Sequence, residues 1–158
     1  MSAMKDTKRR DGSAIVDPAK QSMMLAALYI AQEQKGYLTK DAVRQVAKRL
    51  GVTDGEVYST ASFYTLFRME PVGRYVIQVC EGLSCYLNDG AEQVVDYISV
   101  KLGIKPGETT RDGRFTLETV QCLASCGTAP AMRVNDQLFE NLTPASIDDI
   151  LERFMGEV

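Results

Sequence analysis

The chain has 158 residues, 45% hydrophobic and 25% charged, the balance of an ordinary soluble protein long enough for one domain or two small ones. A formal net charge of -3 and an isoelectric point near 5.1 argue against a general nucleic-acid binder, which needs excess Lys and Arg to neutralise phosphates. With no His and no Trp, the commonest acid/base side chain and the commonest nitrogen ligand are missing, so any chemistry falls to thiols or carboxylates.

Residues 1–16 are polar and lack the continuous apolar core of a secretory signal, so a flexible tail and no export are expected. Asp17 and Pro18 have the order of an N-cap followed by the first helical position, and Met24, Leu28 and Ala31 continue at helical spacing until Gly36. The run Met23–Ala31 is far shorter than the roughly 20 residues needed to span a bilayer, so direct membrane insertion is not expected. A second helix follows Thr39, with Ala42, Val43, Val46, Ala47 and Leu50 on one face and Gly51 as its left-handed cap. Thr53 and Glu56 have capping-box spacing for a third, whose stripe Val57, Ala61, Tyr64 and Leu66 runs to Pro71 and Gly73. Residues 17–70 thus read as a helical bundle.

Beyond Gly73 the period changes. Tyr75–Val79 is a β-branched run expected to form a buried strand ending at Cys80, and Asn88–Leu102 a helix. Asp112-Gly113 marks the turn before a strand at Phe115–Val120. Met132–Val134 and Gln137–Phe139 flank Asn135-Asp136 as a hairpin. Thr143 and Pro144 open a last helix with Ile147, Ile150, Leu151 and Phe154 on its apolar face. Residues 71–158 therefore read as a second domain with an α/β layer order.

All four cysteines fall there, as Cys80-Glu-Gly-Leu-Ser-Cys85 and Cys122-Leu-Ala-Ser-Cys126, each pair just after a predicted strand. Loops beyond the carboxyl ends of strands are where α/β sheets collect ligands. Four soft thiolates suit zinc or an iron-sulfur cluster. The gaps of four and three residues tilt towards iron, because structural zinc sites favour two-residue gaps. Two ferric ions, two sulfides and four thiolates leave a double negative charge, and reduction adds a third. Backbone N–H groups must then face the sulfurs, and Gly82, Ser84, Ser125, Gly127 and Thr128 leave the main chain accessible for that.

The stretches Val57-Tyr-Ser-Thr-Ala-Ser-Phe-Tyr64, Val79 to Cys85, Leu102-Gly-Ile-Lys-Pro-Gly107 and Val120-Gln-Cys122-Leu-Ala-Ser-Cys126-Gly-Thr-Ala-Pro130 resemble the thioredoxin-like [2Fe-2S] subunit of NADH:quinone oxidoreductase, respiratory complex I. The resemblance implies an α+β or α/β chain: an N-terminal helical bundle, then a thioredoxin-like [2Fe-2S] ferredoxin domain. It implies Cys80 and Cys85 on one iron and Cys122 and Cys126 on the other. It also implies a larger partner subunit that binds FMN and NADH, other complex subunits, and a location in the cytoplasm or on the cytoplasmic face of the inner membrane through that complex. The chain would accept or store one electron from reduced flavin, with no catalytic residues of its own. Related subunits occur in NAD-linked hydrogenases and formate dehydrogenases.

Three other readings compete. Residues 42–63 have the local pattern of a helix-turn-helix, but Asp54-Gly-Glu56 offers no base-reading side chain where the recognition helix would begin. Thiol exchange usually presents Cys-x-x-Cys, which neither pair matches. A structural zinc module remains the third. Pro130 is either a cis-proline beside the cysteine loop or the start of an edge strand. Phe63, Tyr64 and Phe67 at helical spacing read as core before docking patch, and Asp148-Asp149 as a solvated face.

Overall fold

The computed structural model describes residues 21–87 and 90–156, and the chain divides into two compact units, Met1–Pro71 and Val72–Val158. The tail over 1–16, the Asp17-Pro18 helix start and the Asn88 helix start lie outside the described residues. Among the described residues no helix is long and apolar enough to cross a membrane.

In the first unit, α1 (Met24–Glu33), α2 (Lys40–Leu50) and α3 (Asp54–Phe63) enclose a core of Leu28, Leu38, Val43, Val46, Ala47, Val57 and Ala61. The caps follow the side chains that can make them. Thr39 Oγ1 accepts from the Ala42 N–H at 3.1 Å, and Gly51 takes φ +67° at the end of α2. Thr53 Oγ1 accepts from the Glu56 N–H at 3.2 Å while Glu56 Oε2 accepts from the Thr53 N–H at 3.0 Å, a complete capping box. Thr53→Ala removes the side-chain half of that box and is expected to destabilise this unit by about 1 kcal/mol, visible as a lower urea midpoint.

The apolar stripe of α3 ends earlier than the sequence pattern suggests. Tyr64 is already extended (φ -90°, ψ 117°), and Leu66 is 45% exposed, so neither continues the core face. The reason lies on α1. The buried Gln32 amide donates to Leu66 O at 2.9 Å and accepts from the Arg68 N–H at 2.7 Å, holding this segment in an irregular path that turns Phe67 inward. Of the three aromatics expected in the core, only Phe67 is buried; Phe63 is 78% exposed and Tyr64 41%.

In the second unit, β1 (Tyr75–Cys80), β2 (Phe115–Val120), β3 (Met132–Val134) and β4 (Gln137–Phe139) form a mixed sheet in the order β2-β1-β3-β4. β1 and β2 are parallel, with Ile77 opposite Leu117 and Cys80 opposite Val120; β3 runs antiparallel to both β1 and β4. Between β1 and β2 lie a short α4 (Leu83–Leu87) and α5 (Ala91–Leu102), and α6 (Pro144–Gly156) ends the described chain. Alternate residues Tyr75, Ile77 and Val79 of β1, with Phe115 and Leu117 of β2, bury one sheet face against Val94 and Ile98 of α5 and Ile147, Leu151 and Phe154 of α6. Asp148 is not simply solvated: it takes the Lys101 ammonium at 3.0 Å and the Tyr97 hydroxyl at 2.8 Å, stitching α6 to α5.

Candidate metal centre

Because β1 and β2 are parallel and paired through to Cys80 and Val120, the segments beyond them leave the same edge of the sheet side by side. The Glu81 N–H donates to Val120 O at 2.8 Å and carries the pairing one residue further. Gly82 then makes the close approach possible. A Cβ built there would lie 3.0 Å from Gln121 O, 3.3 Å from Cys80 Sγ and 3.9 Å from Cys122 Cα. Only a residue without a side chain leaves that space free between Cys80 and Cys122.

The α4 turn carries Cys85 into the interior, a helix that the sequence pattern does not reveal. It has five residues, and its apolar positions Leu83, Tyr86 and Leu87, at i, i+3 and i+4, point to solvent rather than to the core. Cys80 and Cys85 are buried together in a small cluster with Ala91 and Ala131. Burial pushes the Cys85 thiol above its ordinary value. The Ala131 backbone N–H opposes this by hydrogen-bonding the sulfur, and the nearby Cys80 and Cys126 raise it further.

Cys122 and Cys126 are exposed, at the two ends of a loop in which Ala124 adopts φ +59°. The Ala124 N–H donates to Cys122 Sγ at 3.3 Å, and Ser84 Oγ donates to Cys126 O at 2.8 Å, tying the two cysteine loops together. The Ala124 N–H is thus aimed at sulfur from within the Cys122 loop. The Ser125 and Thr128 hydroxyls turn instead to Glu140, whose carboxyl they hold below its usual range, Ser125 contributing most. Behind the loop the Ala129-Pro130 peptide is cis, and the Pro130 ring fills the space where Gly90 has no side chain.

The donor set is a buried pair, Cys80 and Cys85, with Cys122 across Gly82 from Cys80 and Cys126 at the other end of the Cys122 loop. Four thiols on two loops, with N–H groups aimed at sulfur and a side-chain-free gap between them, fit a sulfur-ligated cluster. The unequal burial has a measurable consequence. In the metal-free protein a maleimide is expected to label Cys122 and Cys126 before Cys80 and Cys85, as mass spectrometry over a short time course would read.

Residues 13–155 match the family described as thioredoxin-like [2Fe-2S] ferredoxin. The chain is 45% identical over 137 residues to an NADH-quinone oxidoreductase subunit of Rhizobium meliloti, covering 87% of this chain and 81% of that protein. It is 39% identical over 133 residues to NADH-quinone oxidoreductase subunit 2 of Thermus thermophilus (84% and 73% covered), and 38% identical over 130 residues to an NADH-quinone oxidoreductase subunit of Escherichia coli K12 (82% and 78%). Among solved structures, an NAD+-reducing [NiFe]-hydrogenase in the air-oxidised state shares the fold with a TM-score of 0.74 at 24% identity, over 84% of this chain and 23% of that one.

Proposed function

The chain belongs to the thioredoxin-like [2Fe-2S] ferredoxin family, and from that premise we propose that it is the one-electron carrier subunit of an NADH-quinone oxidoreductase, with Cys80, Cys85, Cys122 and Cys126 as cluster ligands. The observation that carries this reading is the meeting of the two cysteine segments at Gly82, where a Cβ would fill the space beside Cys80 Sγ. The relatives that bear the NADH-quinone oxidoreductase name span most of the chain and supply the host.

When bound, the cluster supplies a one-electron couple. The chain's own residues do the rest. Cys80 and Cys85, both buried, would hold the cluster where water is excluded, and Cys122 and Cys126, both exposed, would hold it from the solvent side. The Ala124 N–H is aimed at Cys122 Sγ and would meet added negative charge there as a fixed dipole, without bringing in a full charge. An electron donor approaches from the exposed side, and the donor we assign is a larger flavoprotein subunit that oxidises NADH on FMN. Membrane association then comes through the complex.

Thiol exchange fits the site less well, since it usually presents a Cys-x-x-Cys pair, whereas the exposed cysteines here, Cys122 and Cys126, are separated by three residues and the other two are buried. Anaerobic purification with iron, sulfide and zinc analysis, followed by EPR of the dithionite-reduced protein, tests the cluster. Two irons, two sulfides and a spin-half signal are expected. Zinc in their place would overturn the reading. Co-purification with a flavin-containing NADH dehydrogenase, rather than a hydrogenase, tests the host.

A further inference from the structure

Glu140 stands just beyond β4, 14 residues past Cys126, with no sequence pattern linking the two. The chain brings it back. The Asn141 N–H donates to Thr128 O at 2.8 Å and the Leu142 N–H to Pro130 O at 3.1 Å, so residues 140–142 run alongside the turn after Cys126. On that track Glu140 Oε1 accepts from Thr128 Oγ1 at 2.5 Å and from Ser125 Oγ.

Each hydroxyl owns one proton. The two oxygens lie 2.8 Å apart and each is within hydrogen-bond distance of the same carboxylate oxygen, the strongest acceptor in reach, so the pair has at most one proton to share between the two hydroxyls while the other goes to Glu140. Both hydroxyl contacts converge on Glu140, so Ser125 and Thr128 tie the cysteine loop to that carboxylate. They hold that one carboxylate from hydroxyls one residue before and two residues after Cys126. A fixed negative charge opposes the arrival of an electron nearby, and because Glu140 is exposed, salt screens that opposition.

We propose that Glu140 is the positioning residue of the Cys126 turn and that its charge lowers the reduction potential of the centre. The potential half rests on the proposed cluster; the positioning half does not.

The full-length wild type, Glu140→Gln and Glu140→Ala are compared by anaerobic redox titration at low and high salt. Hydrogen exchange of residues 124–128 is measured in the metal-free proteins. Gln keeps an oxygen that can accept both hydroxyls but carries no charge. Glu140→Gln is therefore expected to hold wild-type iron and sulfide, keep wild-type exchange, and raise the reduced-to-oxidised ratio at the wild-type midpoint at least about threefold at low salt. That gain shrinks at high salt. Glu140→Ala shows the same gain together with faster exchange. An unchanged titration in Glu140→Gln at low salt overturns the charge effect, and unchanged exchange in Glu140→Ala overturns the positioning. A wild type without iron and sulfide sinks the proposed cluster and the potential half with it, and leaves the exchange comparison to decide the rest.

Discussion

Cys85→Ala is expected to leave the protein folded and strip it of iron. The side chain is 2% exposed, and the change removes a single sulfur from a small cluster with Cys80, Ala91 and Ala131, so the cost in stability is about 1 kcal/mol. The cost in metal binding is of another order. Losing an outer partner of a metal ligand weakens binding about 10- to 100-fold, and losing the ligand itself exceeds that. Iron and sulfide analysis after anaerobic reconstitution, with circular dichroism to verify the fold, reads both effects. A folded Cys85→Ala protein with a full complement of iron and sulfide would remove Cys85 from the ligand set.

Gly90→Ala is expected to destabilise the protein more than either Thr53→Ala or Cys85→Ala. A Cβ at this position would lie 2.3 Å from Pro130 Cγ and 2.5 Å from Pro130 Cβ, where carbon atoms normally keep about 3.5–4.0 Å. The ring has little room to withdraw, because Pro130 O accepts from the Leu142 N–H at 3.1 Å and the next residue, Ala131, is fully buried. Gly90 is no freer, as its own N–H donates to Cys85 O at 3.1 Å. The overlap is expected to cost about 1–3 kcal/mol, and any shift that relieves it moves Cys85. A lower urea midpoint together with reduced iron retention is the expected result; a midpoint equal to that of the wild type would mean that the Pro130 side has slack.

Much of this architecture is legible in the sequence because the chain carries local chemistry at those points. Asn135 takes φ +51° between β3 and β4, as a hairpin turn of that length demands, and Thr39, Thr53 and Gly51 cap the helices that their positions announce. The β-branched runs at Tyr75–Cys80 and Phe115–Val120 become paired strands. The elements that escape are those set by distant partners. The end of α3 depends on the amide of Gln32, more than 30 residues away, and nothing within Tyr64–Phe67 marks it. The α4 turn escapes because five residues are too few for a helical period to stand out. At the centre, the four thiols stand out in the sequence as two spaced pairs, but their unequal burial does not. Nor does the N–H aimed at Cys122 Sγ, since it comes from Ala124, a non-glycine residue held at φ +59°.

The parallel register of β1 and β2 also sets which changes of length the chain can absorb. Cys80 and Val120 are partners, so the spacing between the two cysteine segments is counted in residues along two strands. One residue inserted within β2 advances the cysteine segment beyond it by about 3.3 Å and turns alternate side chains to the opposite face of the sheet. Cys122 would then pass Gly82 out of step. The same residue added at the exposed tip Arg111–Gly113 leaves the register intact and adds only a small loop-closure cost. Insertions and deletions are thus confined to the turn, and the stretches 75–80 and 115–121 act as a ruler whose length cannot drift.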